Sequence, residues 1–137
     1  MKVMLDLNVL LDVIQKRDSH FEASAGVLDL AVRTKIVGCT PAHALTTIHY
    51  VVMKYAGQTK ADHAIDWILT HTRIAPVSRD QFLRARALPL ADFEDAVVAA
   101  CAISTRCAYI VTRNVGDFSR SPIPALTPEE FLALKDG

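Results

Sequence analysis

The stretch Phe93-Glu94-Asp95-Ala96-Val97-Val98-Ala99-Ala100-Cys101-Ala102-Ile103, followed by Tyr109-Ile110-Val111-Thr112, sets the fold. Its first part is long enough for a helix and carries eight uncharged residues in a row, Ala96 to Ile103. A helix that is apolar all round is buried, here against a sheet. Its second part is a β-branched run, and thus the strand to which that helix returns. The helix is expected over Phe93 to Arg106 and the strand over Tyr109 to Thr112.

Outward from this pair the same alternation repeats. Lys2 to Leu5 reads as a short buried strand and Leu7 to Ile14 as a helix, ended by Gln15-Lys16-Arg17-Asp18. His20 to Thr34 spaces Phe21, Ala25, Leu28 and Val32 by threes and fours, the mark of an amphipathic helix, and Lys35 to Cys39 is the second strand. Thr40-Pro41 is expected to open the next helix, with proline in the first turn, and Gly57 to close it. A further helix begins at Gln58 or Thr59. Arg73 to Val77 follows as a strand and Arg79 to about Leu88 as a helix ended by Pro89. Thr127-Pro128-Glu129-Glu130 matches a capping box and opens a last helix to about Leu134. Strands separated by helices pair in parallel through right-handed crossovers, which implies a three-layer α/β/α sandwich with a central, mainly parallel sheet.

The 137 residues fit one domain over 1–137, with no linker or repeat. Fifteen Lys and Arg balance 15 Asp and Glu, so no global positive field draws the chain onto nucleic acid, and any such contact is local. Lys16-Arg17, Arg84 with Arg86, Arg113 and Arg120 are the basic spots, most of them expected to be solvated surface charge. Cys39, Cys101 and Cys107 are odd in number and lack metal-ligand spacing, which points to a reducing compartment, the cytoplasm. No run reaches the ~18 apolar residues of a membrane span.

Three acids fall at strand ends or helix starts of this pattern. Asp6 closes the apolar run Val3-Met4-Leu5, Asp95 stands at the start of the most buried helix, and Asp117 follows the strand that ends in Thr112. Groups just past the carboxyl ends of parallel strands converge on one crevice. Crowded carboxylates repel and raise each other's pKa unless a hard divalent cation neutralises them, so their expected meeting implies a metal-dependent enzyme acting on phosphates. Each has a structural explanation as well. Asn8 suits a cap for a helix beginning at Val9, Asp92 and Asp95 have the spacing of an N-cap and its N3 partner, and Asp117 suits a polar loop. Their joint placement at one sheet edge favours the functional reading. The five histidines, His20, His43, His49, His63 and His71, show no H-E-x-x-H or similar spacing and are expected at the surface or partly buried. The serines lack a nucleophile elbow and the five glycines form no phosphate loop. A haloacid-dehalogenase-type phosphatase would need D-x-D where Asn8 stands, and a receiver domain would need an acceptor Asp that Arg73 to Ser78 does not offer.

D-x-N-V-L-L-D at the start, D-F-E-D-A-V near residue 95 and T-R-N-x-x-D-F near residue 117 resemble PIN-domain proteins, especially ribonuclease toxins of the VapC type, over almost the whole chain. The resemblance implies an endoribonuclease dependent on Mg²⁺ or Mn²⁺, homodimeric and held inactive by a small antitoxin protein. By position it makes Asp6, Asp95 and Asp117 the metal-binding and catalytic acids, Asp92 an additional acid, and Asn8, Thr112 and Asn114 organisers of the pocket. Such proteins also carry an acid, usually Glu, on the helix after the second strand. Here Ala44-Leu45-Thr46-Thr47-Ile48-His49-Tyr50 puts Thr46 or Thr47 in that place, a hydroxyl without formal charge. A weakly active or inactive PIN-like module that binds RNA or a protein is therefore the competing expectation.

Overall fold

The computed structural model, which describes residues 1–136, has a five-stranded parallel sheet in the order β3-β2-β1-β4-β5. Along the chain run β1 (Lys2–Leu5), α1 (Leu7–Ile14), α2 (Phe21–Val32), β2 (Val37–Pro41), α3 (Ala44–Ala56), α4 (Gln58–His71) and β3 (Arg73–Ala75). Then follow α5 (Arg79–Ala87), α6 (Phe93–Ser104), β4 (Tyr109–Val111), a 3₁₀ turn over Val115–Phe118, β5 (Ala125–Leu126) and α7 (Pro128–Asp136).

The strand order explains the layers. A right-handed crossover places its helix on a face set by the direction in which the chain moves across the sheet. From β1 to β2 to β3 the chain moves one way, so α1 to α4 share one face; the return to β4 reverses direction and puts α5 and α6 on the other. Side chains alternate accordingly along β1. Val3 and Leu5 join the core under α1 to α4, whereas Met4 joins the core under α6. Every residue from Ala96 to Ala102 is buried, as the all-round apolarity of that segment requires. Full burial of a valine such as Val97 or Val98 contributes about 1.5–3 kcal/mol. The terminal helix α7 returns to the first face, where the fully buried Phe131 meets Tyr109 edge-on at 6.2 Å. Thr127 and Glu130 form the expected reciprocal cap of α7, with bonds of 2.9 and 3.1 Å.

Three local expectations change. Pro41 does not open α3 but ends β2. β1 pairs with β2 only as far as Cys39, so no β1 residue stands opposite Pro41, and the missing N–H interrupts no β1–β2 bond. The helix starts three residues later, at Ala44. The second change is an addition, β5, whose two residues pair with Ile110 and Val111 and are too short to register as a periodic pattern. Third, the expected polar loop around Asp117 is a 3₁₀ turn anchored by the buried Phe118. At Gly38 the sheet and α2 approach closely: a Cβ there would stand 3.0 Å from Leu5 Cδ1 and 3.3 Å from Ala31 Cβ.

A buried ion cluster fixes α1. Asp12 has no exposed surface; its Oδ2 accepts a 3.0 Å hydrogen bond from the Ser24 hydroxyl and stands 3.0 Å from Arg113 Nε, while Oδ1 is 3.7 Å from Arg17 Nη1. Ser24 thus ties α1 to α2 and Arg113 ties it to the segment after β4, while Arg17 reaches Asp12 from the turn that follows α1. Removing one member of a buried pair leaves the other charge uncompensated. We expect Asp12→Ala to lower the unfolding free energy by about 3 kcal/mol, and Ser24→Ala by about 1 kcal/mol, in urea denaturation; equal small losses would show that the cluster is not a unit.

Candidate functional site

The sheet order reverses between β1 and β4, the place where open α/β sheets form a crevice beyond their strand ends. Asp6 leaves β1 there and Thr112 leaves β4. The backbone continues the pairing by one step, with the Asp6 N–H donating to the Val111 carbonyl at 3.0 Å.

Asp6 is 6 % exposed and is the N-cap of α1, its Oδ1 accepting from the Leu7 N–H at 2.8 Å. Asn8 therefore lies within the helix instead of capping it. Oδ2 accepts from the Thr112 hydroxyl at 2.8 Å and from Asn8 Nδ2 at 3.4 Å. With its proton committed to Asp6, Thr112 Oγ1 accepts from Asn8 Nδ2 at 3.3 Å and from the Asn114 N–H at 3.0 Å. That exhausts the hydroxyl's single donor and two acceptor positions, so its direction is fixed. Asn8 Oδ1 accepts from the Arg113 N–H at 3.3 Å and closes the network. Asn8 and Thr112 thus organise the pocket with their side chains, whereas Asn114 does so with its backbone. Burial raises the Asp6 pKa; bonds from Thr112 and Leu7 oppose it, Glu94 adds to it, and His43 opposes it.

Asp95 reaches the crevice from the first turn of α6. Its N–H is held by the N-cap Asp92, whose Oδ1 accepts it at 2.9 Å. Asp92 is exposed and acts as the cap that its spacing suggests. The Asp95 carboxyl is pushed up to about 6, first by burial and then by the charges of Asp92, Asp6, Asp117 and Glu94. Asp6, Asp95 and Asp117, far apart in sequence, therefore share one electrostatic neighbourhood. Asp117 is exposed on the 3₁₀ turn, beside a cavity of about 440 Å³ that Pro89, Leu90, Ala91 and Arg120 also line.

Two further charged or titratable neighbours lie outside the candidate set. Glu94 lies on the expected D-F-E-D run and its charge reaches both Asp6 and Asp95. His43, at the entry to α3, feels Glu94 and Asp6; burial lowers its pKa while those two charges oppose the shift. Only the β2 crossover brings it here, so no spacing could have marked it. Thr46 turns its hydroxyl back to the His43 carbonyl at 3.3 Å, and Thr47 lies exposed on α3, outside the hydrogen bonds that hold Asp6.

Among the described residues no group of three or more His, Cys, Asp or Glu side chains stands close enough together to hold a metal ion. The acids instead form an open, mutually repelling group. Its donors are all carboxylate oxygens, and the mutual repulsion that adds to burial in raising the Asp95 pKa is one that a divalent cation would relieve; these residues suit a hard ion that keeps part of its water shell. A cavity of about 920 Å³ lies elsewhere, lined on α1 by Leu10, Val13 and Ile14.

A family model described as PIN domain matches residues 2–116. Among characterised proteins, Ribonuclease VapC1 of Aquifex aeolicus is 27% identical over 135 residues, covering 95% of this chain and 92% of its own. The fold is similar to that in the crystal structure of VapBC2 from Rickettsia felis bound to a promoter DNA fragment, with a TM-score of 0.73 at 20% identity over 93% of this chain and 98% of the other. It is also similar to Mycobacterium tuberculosis VapC20, described as a sarcin-ricin loop cleaving toxin, with a TM-score of 0.69 at 17% identity over 88% and 95% of the two chains.

The raised Asp95 pKa carries a sign that can be measured. The folded, metal-free protein binds this proton more tightly than the unfolded chain, so the associated stability is present at low pH and lost as pH rises through about 6. In chelator at pH 7.5, Asp95→Asn should raise Tm by about 3 °C, and the difference should vanish near pH 4. A variant no more stable at pH 7.5 would show that the folded chain does not penalise the charged Asp95 carboxylate.

Proposed function

The chain belongs to the PIN-domain family, and we propose that it is a divalent-metal-dependent endoribonuclease acting as the toxin of a toxin–antitoxin pair. The observation that carries this reading is the Asp6 carboxylate, buried and aimed by Thr112, Asn8 and Leu7 into the same electrostatic neighbourhood as Asp95 and Asp117. The likeness to Ribonuclease VapC1 over 95% of the chain supports the substrate class.

Asp6, Asp95 and Asp117 would hold Mg²⁺ or Mn²⁺, with Asp92 adding negative charge from the cap of α6. When bound, the ion supplies Lewis acidity toward water and toward phosphate oxygens. The chain supplies position. Asp6 is fixed by three donors, so one ligand direction is set before substrate arrives. Both Asn8 Nδ2 contacts go to Asp6 and Thr112, which makes Asn8 a positioning residue and leaves phosphate contacts to others. Arg120, which lines the same cavity as Asp117, would offer a local positive charge to an RNA backbone in a protein without net positive charge.

The antitoxin is assigned to the cavity of about 920 Å³ lined by Leu10, Val13, Ile14, Val52, Tyr55 and Trp67. An apolar helix of a small partner would cover such a groove. On α2 and α4, Val27 and Leu28 are core residues, while Val32 and Leu69 are exposed. A second copy of the chain has its support in Tyr50 and Met53, exposed one turn apart on α3. No helix among the described residues is long and apolar enough to cross a membrane, and the buried free Cys39, Cys101 and Cys107 suit the cytoplasm.

Purified protein should cleave single-stranded RNA with Mn²⁺ or Mg²⁺ and stop on addition of chelator. Asp6→Asn should lower the rate at least about 100-fold while leaving the melting transition in place. Undiminished cleavage by that variant would refute the assignment. RNA binding without divalent binding in calorimetry would instead mark a non-catalytic module.

A further inference from the structure

Of the nine residues of α5, only Ala85 is buried. Its two large apolar side chains, Phe82 and Leu83, face solvent, and so does Phe93, the first residue of α6; the two phenylalanines are 42 % and 49 % exposed. Their rings stack, with centroids 6.1 Å apart and planes inclined by 21°. Near-parallel rings at that separation are offset rather than superposed, so each keeps part of a face open. Arg79, Phe82 and Arg86 follow one another at steps of three and four and therefore share one stripe of α5. Both arginines are exposed, and neither joins an ion pair among the described residues. With Arg84 they set three cations on α5 against one acid, Asp80, in a chain whose charges balance.

Open aromatic faces flanked by free guanidinium groups are the chemistry that receives a single nucleic-acid strand, bases on the rings and phosphates on the cations. An apolar partner would take the arginines out of water without pairing them. A second copy docked by the same patch would bring two like-charged stripes together. Phe93 and Asp95 share the first turn of α6, so the rings adjoin the acids. Resting on the ribonuclease reading above, we propose that Phe82 and Phe93 form a platform on which unpaired bases of the RNA substrate stack, with Arg79 and Arg86 meeting its phosphates. Every base has a π-face, whereas a duplex hides its own, so the platform selects unpaired RNA without choosing a sequence.

Fluorescence anisotropy of the full chain in chelator reads binding apart from cleavage. The probes are a short labelled uridine strand, the same strand with abasic sites, and a duplex of equal length. Phe82→Ala and Phe93→Ala should each weaken binding of the intact strand about tenfold, with the melting transition kept because both rings are exposed. Phe93→Tyr should bind as wild type does, and Phe93→Leu should not. On the abasic strand and on the duplex, all these variants should differ from wild type by less than about twofold. Undiminished binding by both alanine variants, an equal loss on the abasic strand, or full binding by Phe93→Leu would overturn the proposal. So would a Phe93→Ala chain that changes from dimer to monomer in sedimentation with its RNA affinity intact, which would mark an interface between copies. Stacking on Phe93 together with undiminished cleavage by Asp6→Asn would support the platform and overturn the catalytic assignment. A wild-type chain that binds no RNA in chelator, with Asp6→Asn binding none in Mn²⁺, would overturn both.

Discussion

A carboxylate removed from water at the end of the central strand is the constraint around which this protein is arranged. Asp6 follows three fully buried residues, Val3 to Leu5, and is itself 6 % exposed. Burying a charge without partners is costly, so its surroundings are built of donors: the Leu7 N–H, the Thr112 hydroxyl and the Asn8 amide. Those donors do not cancel the effect of burial, which still raises the Asp6 pKa. What they settle is direction. Thr112 can hold Asp6 because β4 lies beside β1, and β4 lies there because the chain reverses its course across the sheet after β3.

The same reversal divides the chemistry between two layers. Asp6, Asn8 and His43 enter from segments on the α1–α4 side, whereas Asp95 comes from α6 and Asp117 from the turn after β4. The acids are assembled across the sheet edge, and their repulsion is borne by separate elements. It is felt most at Asp95, whose neighbours include four other carboxylates.

Much of this was legible because burial leaves a periodic trace. The apolar run Ala96 to Ala102 gave away α6 and its burial, and D-x-N, D-F-E-D and T-R-N-x-x-D-F marked the acids that the fold brings near one another. Other features leave no such trace. β5 is two residues long and is stabilised by pairing with β4 rather than by its own pattern. Pro41 obeys the rules for a helix start and for a strand end equally well, and only the register of β1 against β2 decides between them. Asp12 reads as a polar break in an apolar helix, yet its partners Ser24 and Arg113 come from distant segments. His43 feels the charge of Asp6 through the fold alone.

Helix α1 has eight residues and, at 1.5 Å per residue, is about 12 Å long. Asn8 and Asp12, four apart, form the stripe that holds the pocket and the Arg113 segment, while Leu10, Val13 and Ile14 form the stripe that walls the large apolar groove. A rod this short cannot flex between its two sides. The wall of the groove and the contacts that hold the pocket are therefore two stripes of one two-turn helix.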